Sequence, residues 1–191
     1  PLLLDGCASL GGNHNIEVIL VDNGSTDNSS EVLQSLLPNY PHCRSVRVPI
    51  NQGYGYGILS GLRAATGELL AWTHADMQTD PKDVLRGLEI FARHGSGNIY
   101  VKGKRIKRPL ADVFFTIGMS VFETLLLRTR LWDINAQPNM FSRIFFESWD
   151  NPPHDFSLDL YVYFTARAQG LSVYRFPVEF GERAHGVSHW N

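Results

Sequence analysis

The sequence has little cysteine and little net charge, and both shortages disfavour whole classes of protein. Its 191 residues include two cysteines, Cys7 and Cys43, which form neither a metal-binding nor a redox motif. We therefore expect a protein of a reducing compartment, the cytoplasm, and not a disulfide scaffold. The formal net charge is −2, so we do not expect a nucleic-acid binder that depends on bulk positive charge.

Long apolar runs, internal repeats and low-complexity linkers are also missing. The longest apolar run, Val113 to Leu127, is interrupted and too short to span a bilayer. No secretory signal is visible at the N-terminus. We expect a protein that is soluble or lies at a membrane surface. With 43% hydrophobic residues, a chain of this length can build one core, which predicts a single domain over residues 1–191.

Strand and helix patterns alternate along the chain with short connections. Apolar runs typical of strands precede stretches with helical periodicity, and this alternation predicts an α/β fold with a mostly parallel sheet flanked by helices. The predicted strands cover Ile16–Val21, Ser45–Pro49, a segment ending at Trp72, Asn98–Gly103 and Ser172–Phe180.

A polar turn follows the strand that ends at Trp72. If strand geometry persists there, His74, Asp76 and Gln78 point the same way and could converge on one cation. The carboxyl end of a parallel strand is also where open α/β sheets hold ligands. The alternative is an ordinary polar loop, in which Thr79 or Asp80 caps the next helix.

Two further loops have the composition of ligand-binding turns. Asp22 follows the first predicted strand and precedes Gly24 and a Ser/Thr/Asp cluster, which places its carboxylate at the ligand edge. The alternative is a well-capped turn. The segment Asn51–Gly57 contains Gly53 and two more glycines, which permit close backbone approach and could present amides to an anion.

Together these segments carry a family resemblance. In order and spacing, the chain resembles the inverting family 2 glycosyltransferases of the GT-A fold, and most closely the dolichol-phosphate mannose synthase or polyprenyl-phosphate branch. The segments that carry the resemblance are Val21–Asp27, Asn51–Gly55, Ala75–Gln78 with Pro81, Gly103–Arg105 and Arg183–Ser188.

The resemblance implies a nucleotide-diphosphate sugar, with a UDP or GDP moiety, as donor. It assigns nucleotide binding to Asp22, Gly24, Ser25, Gly53 and Asp76. It also implies a Mg²⁺ or Mn²⁺ ion held by Asp76 and Gln78. His74 stands where the family usually has aspartate, and its softer imidazole could favour Mn²⁺, contact diphosphate or lie behind the ligands.

The resemblance also implies an acceptor side that contains catalytic and phosphate-binding residues. Asp159 would be a general base, or else a residue on the polar face of a helix, and Arg183 would neutralise the leaving diphosphate. The residues expected at the acceptor are Lys104, Arg105, Asp133, Gln137 and Arg143.

The acceptor itself remains open between a polyprenyl phosphate or another membrane-proximal molecule and a sugar hydroxyl of a polysaccharide or glycolipid. A hydroxyl needs a base to attack, whereas phosphate is already a nucleophile. A non-catalytic nucleotide-sugar-binding module is the alternative of another class.

Two regions bear on this choice. The segment Pro109–Arg130 predicts an amphipathic helix whose apolar stripe, including Met119, Phe122 and Leu126, could pack in the core or lie on a membrane.

Before Ile16 nothing resembles the family's first central strand. We therefore expect a segment to be missing at the N-terminus and the sheet to lack that strand.

Overall fold

The computed structural model describes residues 2–8, 10, 15–106 and 110–181, and over these residues six strands alternate with seven helices. The strands are β1 Val18–Asn23, β2 Cys43–Val48, β3 Leu69–Trp72, β4 Ile99–Ile106, β5 Asn139–Ser142 and β6 Ser172–Glu179. The helices are α1 Leu2–Ala8, α2 Ser29–Leu36, α3 Tyr54–Ala64, α4 Asp83–His94, α5 Leu110–Leu127, α6 Arg143–Glu147 and α7 Leu158–Ala168.

The strands form two sheets in the described part of the chain. β1 and β2 pair in parallel, and the other four strands follow the order β3-β5-β4-β6. β4 and β6 are parallel, while β5 runs antiparallel to both β3 and β4. The predicted parallel-rich α/β architecture is therefore confirmed, with β5 as the reversed strand. β1 and β3 belong to different sheets, as expected if a central strand is lacking; a preceding segment stays a prediction.

Helix α3 packs against both sheets. Its Leu59 and Leu62 are buried in the same cluster as Trp72 of β3. On the side of β1, a Cβ atom at Gly61 would lie only 2.8 Å from Cγ2 of Val21. The absence of a side chain at Gly61 thus allows the helix to approach the smaller sheet closely.

Glu17, just before β1, fixes the turn between α3 and β3. Its carboxylate accepts hydrogen bonds from Thr66 N, from Thr66 Oγ1 at 2.7 Å and from Gly67 N at 3.2 Å. Burial raises the pKa of Glu17, but these bonds and that from Arg44 outweigh it and lower the pKa to about 2. One carboxylate therefore ties the start of the smaller sheet to the larger one.

Both faces of the four-stranded sheet are covered by apolar side chains. Because neighbouring strand residues point to opposite faces, Tyr100 packs with the cluster on the α7 side and Val101 with the cluster on the α4 side. On the second side, a Cβ atom at Gly87 would collide with Sδ of Met140. This fit sets the depth at which α4 lies on the sheet.

Helix α5 turns its polar stripe towards the body of the protein. Ser120 is buried and accepts a hydrogen bond from Asp133 N at 3.1 Å. Thr124 Oγ1 both donates to and accepts from the backbone of Leu131, each at 3.1 Å. Of the two interpretations of this stripe, packing in the core is therefore wrong, because the inward side is occupied by these polar contacts, and contact with a membrane stays a prediction.

The outward side of α5 is apolar. We define the outward face of α5 as its five exposed apolar residues, whose exposed fractions range from 42% to 74%. They are Met119, Val121, Phe122, Leu125 and Leu126. Among the described residues, no helix is both long enough and apolar enough to traverse a bilayer.

Candidate functional site

Asp22 lies at the carboxyl end of β1, as predicted, and its side chain is held in place. Its Oδ1 accepts a hydrogen bond from Ser25 N at 2.9 Å, and Nε of Arg47 lies 3.8 Å from its Oδ2. The hydrogen bonds from Ser25 keep the pKa of Asp22 below its usual value. Oδ2 is buried and accepts no hydrogen bond from the described residues.

The Asn51–Gly57 loop packs directly against this turn. Asn23 Nδ2 donates to the Gly53 carbonyl at 3.0 Å. A Cβ atom at Gly24 would lie 2.4 Å from Asn51 N. The first predicted nucleotide-binding turn and the glycine loop therefore form one continuous surface.

The glycines Gly53 and Gly55 let another backbone segment approach closely. A Cβ atom at Gly53 would lie 2.4 Å from the carbonyl oxygen of His154, and one at Gly55 would lie 2.5 Å from that of Pro153. The His154 carbonyl also accepts a hydrogen bond from Tyr56 N. Close backbone approach occurs as predicted, but to the segment before α7; nucleotide binding by Gly53 stays a prediction.

The loop after β3 contains the three predicted metal ligands. β3 ends at Trp72, and Met77 has a φ of 61°, so the strand alternation expected to align His74, Asp76 and Gln78 does not continue. Instead, Asp76 Oδ1 accepts a hydrogen bond from Gln78 N at 3.1 Å. The loop brings these residues together as a turn, not as a strand.

A second contact anchors this loop. Gln78 Nε2 donates to the Gly181 carbonyl at 3.3 Å, and Gly181 N donates to the Gln78 carbonyl at 2.9 Å. Thr73 and the buried Thr79 join their hydroxyls at 3.1 Å across the loop. The chain beyond β6 therefore starts beside the predicted metal ligands.

The metal ligands in this loop suit a cation that is shared with substrate phosphates better than one bound by the protein alone. Over the described residues, no group of three or more His, Cys, Asp or Glu side chains is placed to hold a metal. Asp76 and Gln78 nevertheless offer the hard oxygen ligands that Mg²⁺ and Mn²⁺ accept. Mg²⁺ usually combines one or two carboxylates with substrate phosphates, and these residues fit that pattern.

Arg105 and Asp133 form a pair at the carboxyl end of β4. Arg105 Nε donates to Asp133 Oδ1 at 2.7 Å, and Arg175 Nη2 lies 3.4 Å from Asp133 Oδ2. Burial raises the pKa of Asp133, but the two guanidinium groups outweigh this and hold it below its usual value. Two predicted acceptor residues thus bind each other, and Arg175 completes the cluster.

Gln137 and Asp159 lie in the interior beneath this edge. Gln137 Nε2 donates to the Tyr54 hydroxyl at 2.7 Å, and Asn139 Nδ2 donates to Asp159 Oδ1 at 3.1 Å. Burial raises the pKa of Asp159, and nearby Lys102 partly offsets the rise. Asp159 is 3% exposed, so it does not lie on the polar face of a helix, which was the alternative.

Lys102 is also buried, although it belongs to a basic run. Its Nζ donates to the carbonyls of Ile134 at 2.7 Å and Ala136 at 2.5 Å. Lys104, two residues later, is exposed. Of these two lysines, only Lys104 can meet a soluble phosphate group without rearrangement.

Arg143, which we expected at the acceptor, lies elsewhere in the structure. It follows β5 at the end where Ser142 pairs with Leu69, the first residue of β3. Its guanidinium donates to the carbonyls of Ala65 and Gly67 at 2.8–2.9 Å. Because β5 runs antiparallel to β3, Arg143 lies at the edge opposite the His74–Gln78 loop and supports the α3–β3 turn.

Some predicted residues lie outside the described part of the chain. These are Arg183 and the remainder of its motif.

Sequence reasoning did not single out Tyr54, Asn139 or Arg175. Tyr54 begins α3 between Gly53 and Gly55, and it is these glycines that indicate an anion-binding segment. Asn139 and Arg175 occupy strands, where polar residues at inward positions are the available signal.

Comparison with known families and proteins agrees with this arrangement. A family model described as "Glycosyl transferase family 2" matches residues 3–152. An uncharacterized glycosyltransferase of Nostoc sp. is 40% identical over 76 residues, covering 40% of this chain and 24% of that protein. The undecaprenyl-phosphate 4-deoxy-4-formamido-L-arabinose transferase of Pseudomonas paraeruginosa is 38% identical over 89 residues, covering 46% and 25%. The chain spans about a quarter of these relatives' length.

Solved structures share the fold. A Pyrobaculum calidifontis mannosyltransferase, solved with GDP-Man and Mn²⁺, aligns with a TM-score of 0.64 at 19% identity, over 96% of this chain and 54% of that one. Glucosyl-3-phosphoglycerate synthase from Mycobacterium tuberculosis, solved with Mg²⁺ and UDP, gives 0.68 at 17% identity, over 98% and 67%. The expected GT-A fold is thereby confirmed.

Proposed function

Because the chain belongs to glycosyl transferase family 2, we propose that it transfers a sugar from a nucleotide-diphosphate sugar to a polyprenyl phosphate or another membrane-proximal acceptor, with inversion. The observation that carries the proposal is the hydrogen bond between Gln137 and Tyr54. It holds the predicted acceptor segment against the glycine loop that adjoins Asp22. We propose that donor and acceptor bind on either side of this contact, because direct displacement requires the two to be held next to each other.

The donor side comprises the Asp22 turn and the glycine loop. The unsatisfied Oδ2 of Asp22 is suited to accept a hydrogen bond from a base or ribose, and Gly24, Ser25 and Gly53 form the adjoining backbone surface. UDP- and GDP-sugars are the donor classes that we propose, in line with the nucleotides bound by the structural neighbours.

A divalent cation belongs to this proposal. When bound, Mg²⁺ or Mn²⁺ would stabilise charge on the leaving nucleoside diphosphate. Asp76 and Gln78 would hold it, and the bond from Gln78 N to Asp76 Oδ1 orients the carboxylate. His74 would contribute at the same loop. Arg183, outside the described residues, would neutralise diphosphate charge from the other side.

The acceptor side favours a phosphate over a hydroxyl. Asp159 is buried and bonded to Asn139, so an acceptor hydroxyl could reach this candidate base only if the surrounding segment moved. A phosphate acceptor needs no base, and exposed Lys104 lies next to Arg105 at the same strand end. The relative from Pseudomonas paraeruginosa is named for undecaprenyl phosphate, which supports the same acceptor class.

The outward face of α5 supports a membrane-proximal acceptor. Water-exposed apolar patches usually mark interaction sites, and an amphipathic helix can lie in the plane of a bilayer interface. We propose a peripheral position at the cytoplasmic face of a membrane, where a lipid-linked phosphate would be within reach.

The test is a transfer assay with a panel of UDP- and GDP-sugars, polyprenyl phosphate and either Mg²⁺ or Mn²⁺, using the full-length protein. We expect transfer from at least one donor, dependent on metal, with the anomeric configuration inverted in the product. Nucleotide and metal binding without any transfer would support a non-catalytic binding module. Transfer only to sugar hydroxyls would replace the acceptor that we propose.

A further inference from the structure

A cleft of about 710 Å³ opens beside β6. Among the described residues, its lining is strongly basic and includes no aspartate or glutamate. We call it the basic cleft, and the lining residues that matter here are four cations and two aromatic side chains. They are Lys104, Arg130, Arg167, Arg175, Trp132 and Tyr163.

One of the four cationic side chains, that of Arg175, already binds other groups of the protein. Arg175 donates to the carbonyls of Gly103 at 2.8 Å and Trp132 at 2.7 Å and pairs with Asp133. It therefore forms a fixed wall of the cleft. It shares the Asp133 carboxylate with Arg105 and is held by these bonds, so it is not the principal attraction for a ligand.

The other three cationic side chains bind no other group in the part of the chain that the structure describes. The side chains of Lys104, Arg130 and Arg167 are exposed and make no hydrogen bond or ion pair with any residue that the structure describes. Three like charges around one cleft repel one another. An anion that enters the cleft relieves this repulsion, so the chemistry of the lining selects a negatively charged group such as phosphate.

The position of the cleft indicates where this phosphate comes from. The hydrogen bonds between Thr124 and Leu131 hold the segment of Arg130 and Trp132 along α5. The basic cleft therefore adjoins the helix whose outward face is apolar. Trp132 is 40% exposed, and tryptophan is enriched at the boundary between lipid and water.

The cleft includes Lys104, which is also assigned to the acceptor, and extends from there away from the His74–Gln78 loop. Arg167 lies near the end of α7, just before Leu171 and the first residues of β6. The His74–Gln78 loop and Gly181 lie beyond the opposite end of β6. Arg130 and Arg167 are therefore additional to the residues assigned to donor and acceptor.

We propose that the basic cleft binds the phosphate groups of anionic lipids in the membrane against which the outward face of α5 rests. The apolar face supplies burial, and the cations select the charge of the surface. This inference uses the membrane-proximal position of the proposed function, but it does not depend on sugar transfer.

The experiment measures binding of the full-length protein to vesicles at physiological ionic strength. Vesicles of phosphatidylcholine mixed with phosphatidylglycerol are compared with vesicles of phosphatidylcholine alone. We expect much tighter binding to the anionic vesicles. Each Lys or Arg near such a surface contributes about fivefold, so the double variant R130Q/R167Q should bind them about thirtyfold more weakly.

The matched control is R63Q/R93Q, which removes two exposed arginines from α3 and α4 and changes the net charge equally. It should bind like the parent protein, and both variants should retain the parent's unfolding midpoint. Equal vesicle binding by R130Q/R167Q and the parent would overturn the proposal, as would equal binding to neutral and anionic vesicles.

A soluble phosphate is distinguished in the same preparation. Titration with glycerol phosphate, followed by tryptophan fluorescence, should show no saturation at concentrations where anionic vesicles bind. Saturation that R130Q/R167Q abolishes, without vesicle binding, would reassign the cleft to a soluble phosphate and overturn the lipid assignment. Donor consumption measured in detergent without vesicles reports on the transferase separately, so the two proposals can fail independently.

Discussion

Gln137 donates a hydrogen bond from Nε2 to the hydroxyl of Tyr54 at 2.7 Å, and so joins segments 83 residues apart. Tyr54 opens α3 immediately after Gly53, and its ring stacks on Phe156 with a centroid distance of 4.8 Å. The other amide atom of Gln137, Oε1, is buried without a hydrogen-bond donor among the described residues. The bond therefore fixes the distance between the two sides of the candidate site.

Replacing Tyr54 by phenylalanine should destabilise the protein. The change leaves Gln137 Nε2 buried without an acceptor, which costs about 1–3 kcal/mol. The free energy of unfolding in urea measures this loss, and the double variant Y54F/Q137M should lose less than the sum of the single variants. Tyr56→Phe is the control, because the Tyr56 hydroxyl makes no hydrogen bond with the described residues. Strict additivity would show that the bond contributes nothing.

Replacing Asp76 by alanine should abolish metal-dependent transfer. We expect a fall of at least about 100-fold in kcat/KM, because the cation contributes several kcal/mol of charge stabilisation in the transition state. Calorimetric titration with Mn²⁺ and nucleoside diphosphate should show a parallel loss of binding. Asp80→Ala is the control in the same loop, since the Asp80 carboxylate accepts from Lys82 N and is exposed. Retention of metal-dependent transfer by Asp76→Ala would refute the assigned cation ligand.

Local patterns predict five of the six strands, but they predict neither β5 nor several of the contacts. The predicted strand Ser172–Phe180 differs from β6 by one residue at its end, because apolar periodicity is a local property. Register and direction are not local. Arg143 was expected at the acceptor, yet the antiparallel course of β5 carries it to the opposite edge.

The burial of charged side chains is the second feature that local sequence patterns do not predict. Lys102 and Arg105 belong to one basic run in the sequence, but Lys102 bonds to two buried carbonyls and Arg105 pairs with Asp133. These partners lie about thirty residues away along the chain, so no local pattern predicts them. The sequence leaves the orientation of α5 open for a related reason, since its inward Ser120 bonds to the distant backbone of Asp133.

Lys102 should make stability rise with alkaline pH. Burial lowers its pKa from the ordinary value of 10.5, and the Asp159 carboxylate offsets only part of this effect. Between the two pKa values the unfolded chain binds more protons than the folded chain, so the free energy of unfolding increases with pH. Urea denaturation across this range should show a smaller slope in Lys102→Met than in the parent protein. Lys104→Met, at the exposed neighbour, should retain the parent slope, and an unchanged slope in Lys102→Met would contradict the assignment.

The inverted orientation of α5 predicts an unusual pattern of stability. Leu125 is 74% exposed, so Leu125→Gln should change the free energy of unfolding by no more than about 0.5 kcal/mol. Ser120→Leu should instead cost about 1–3 kcal/mol, because it overpacks a buried position and removes the acceptor for Asp133 N. A helix that packed its apolar stripe in the core would give the opposite ranking. Urea denaturation of both variants in the absence of lipid decides between the two orientations. The predicted ranking would mean that the exposed apolar side chains of α5 contribute little to the stability of the fold.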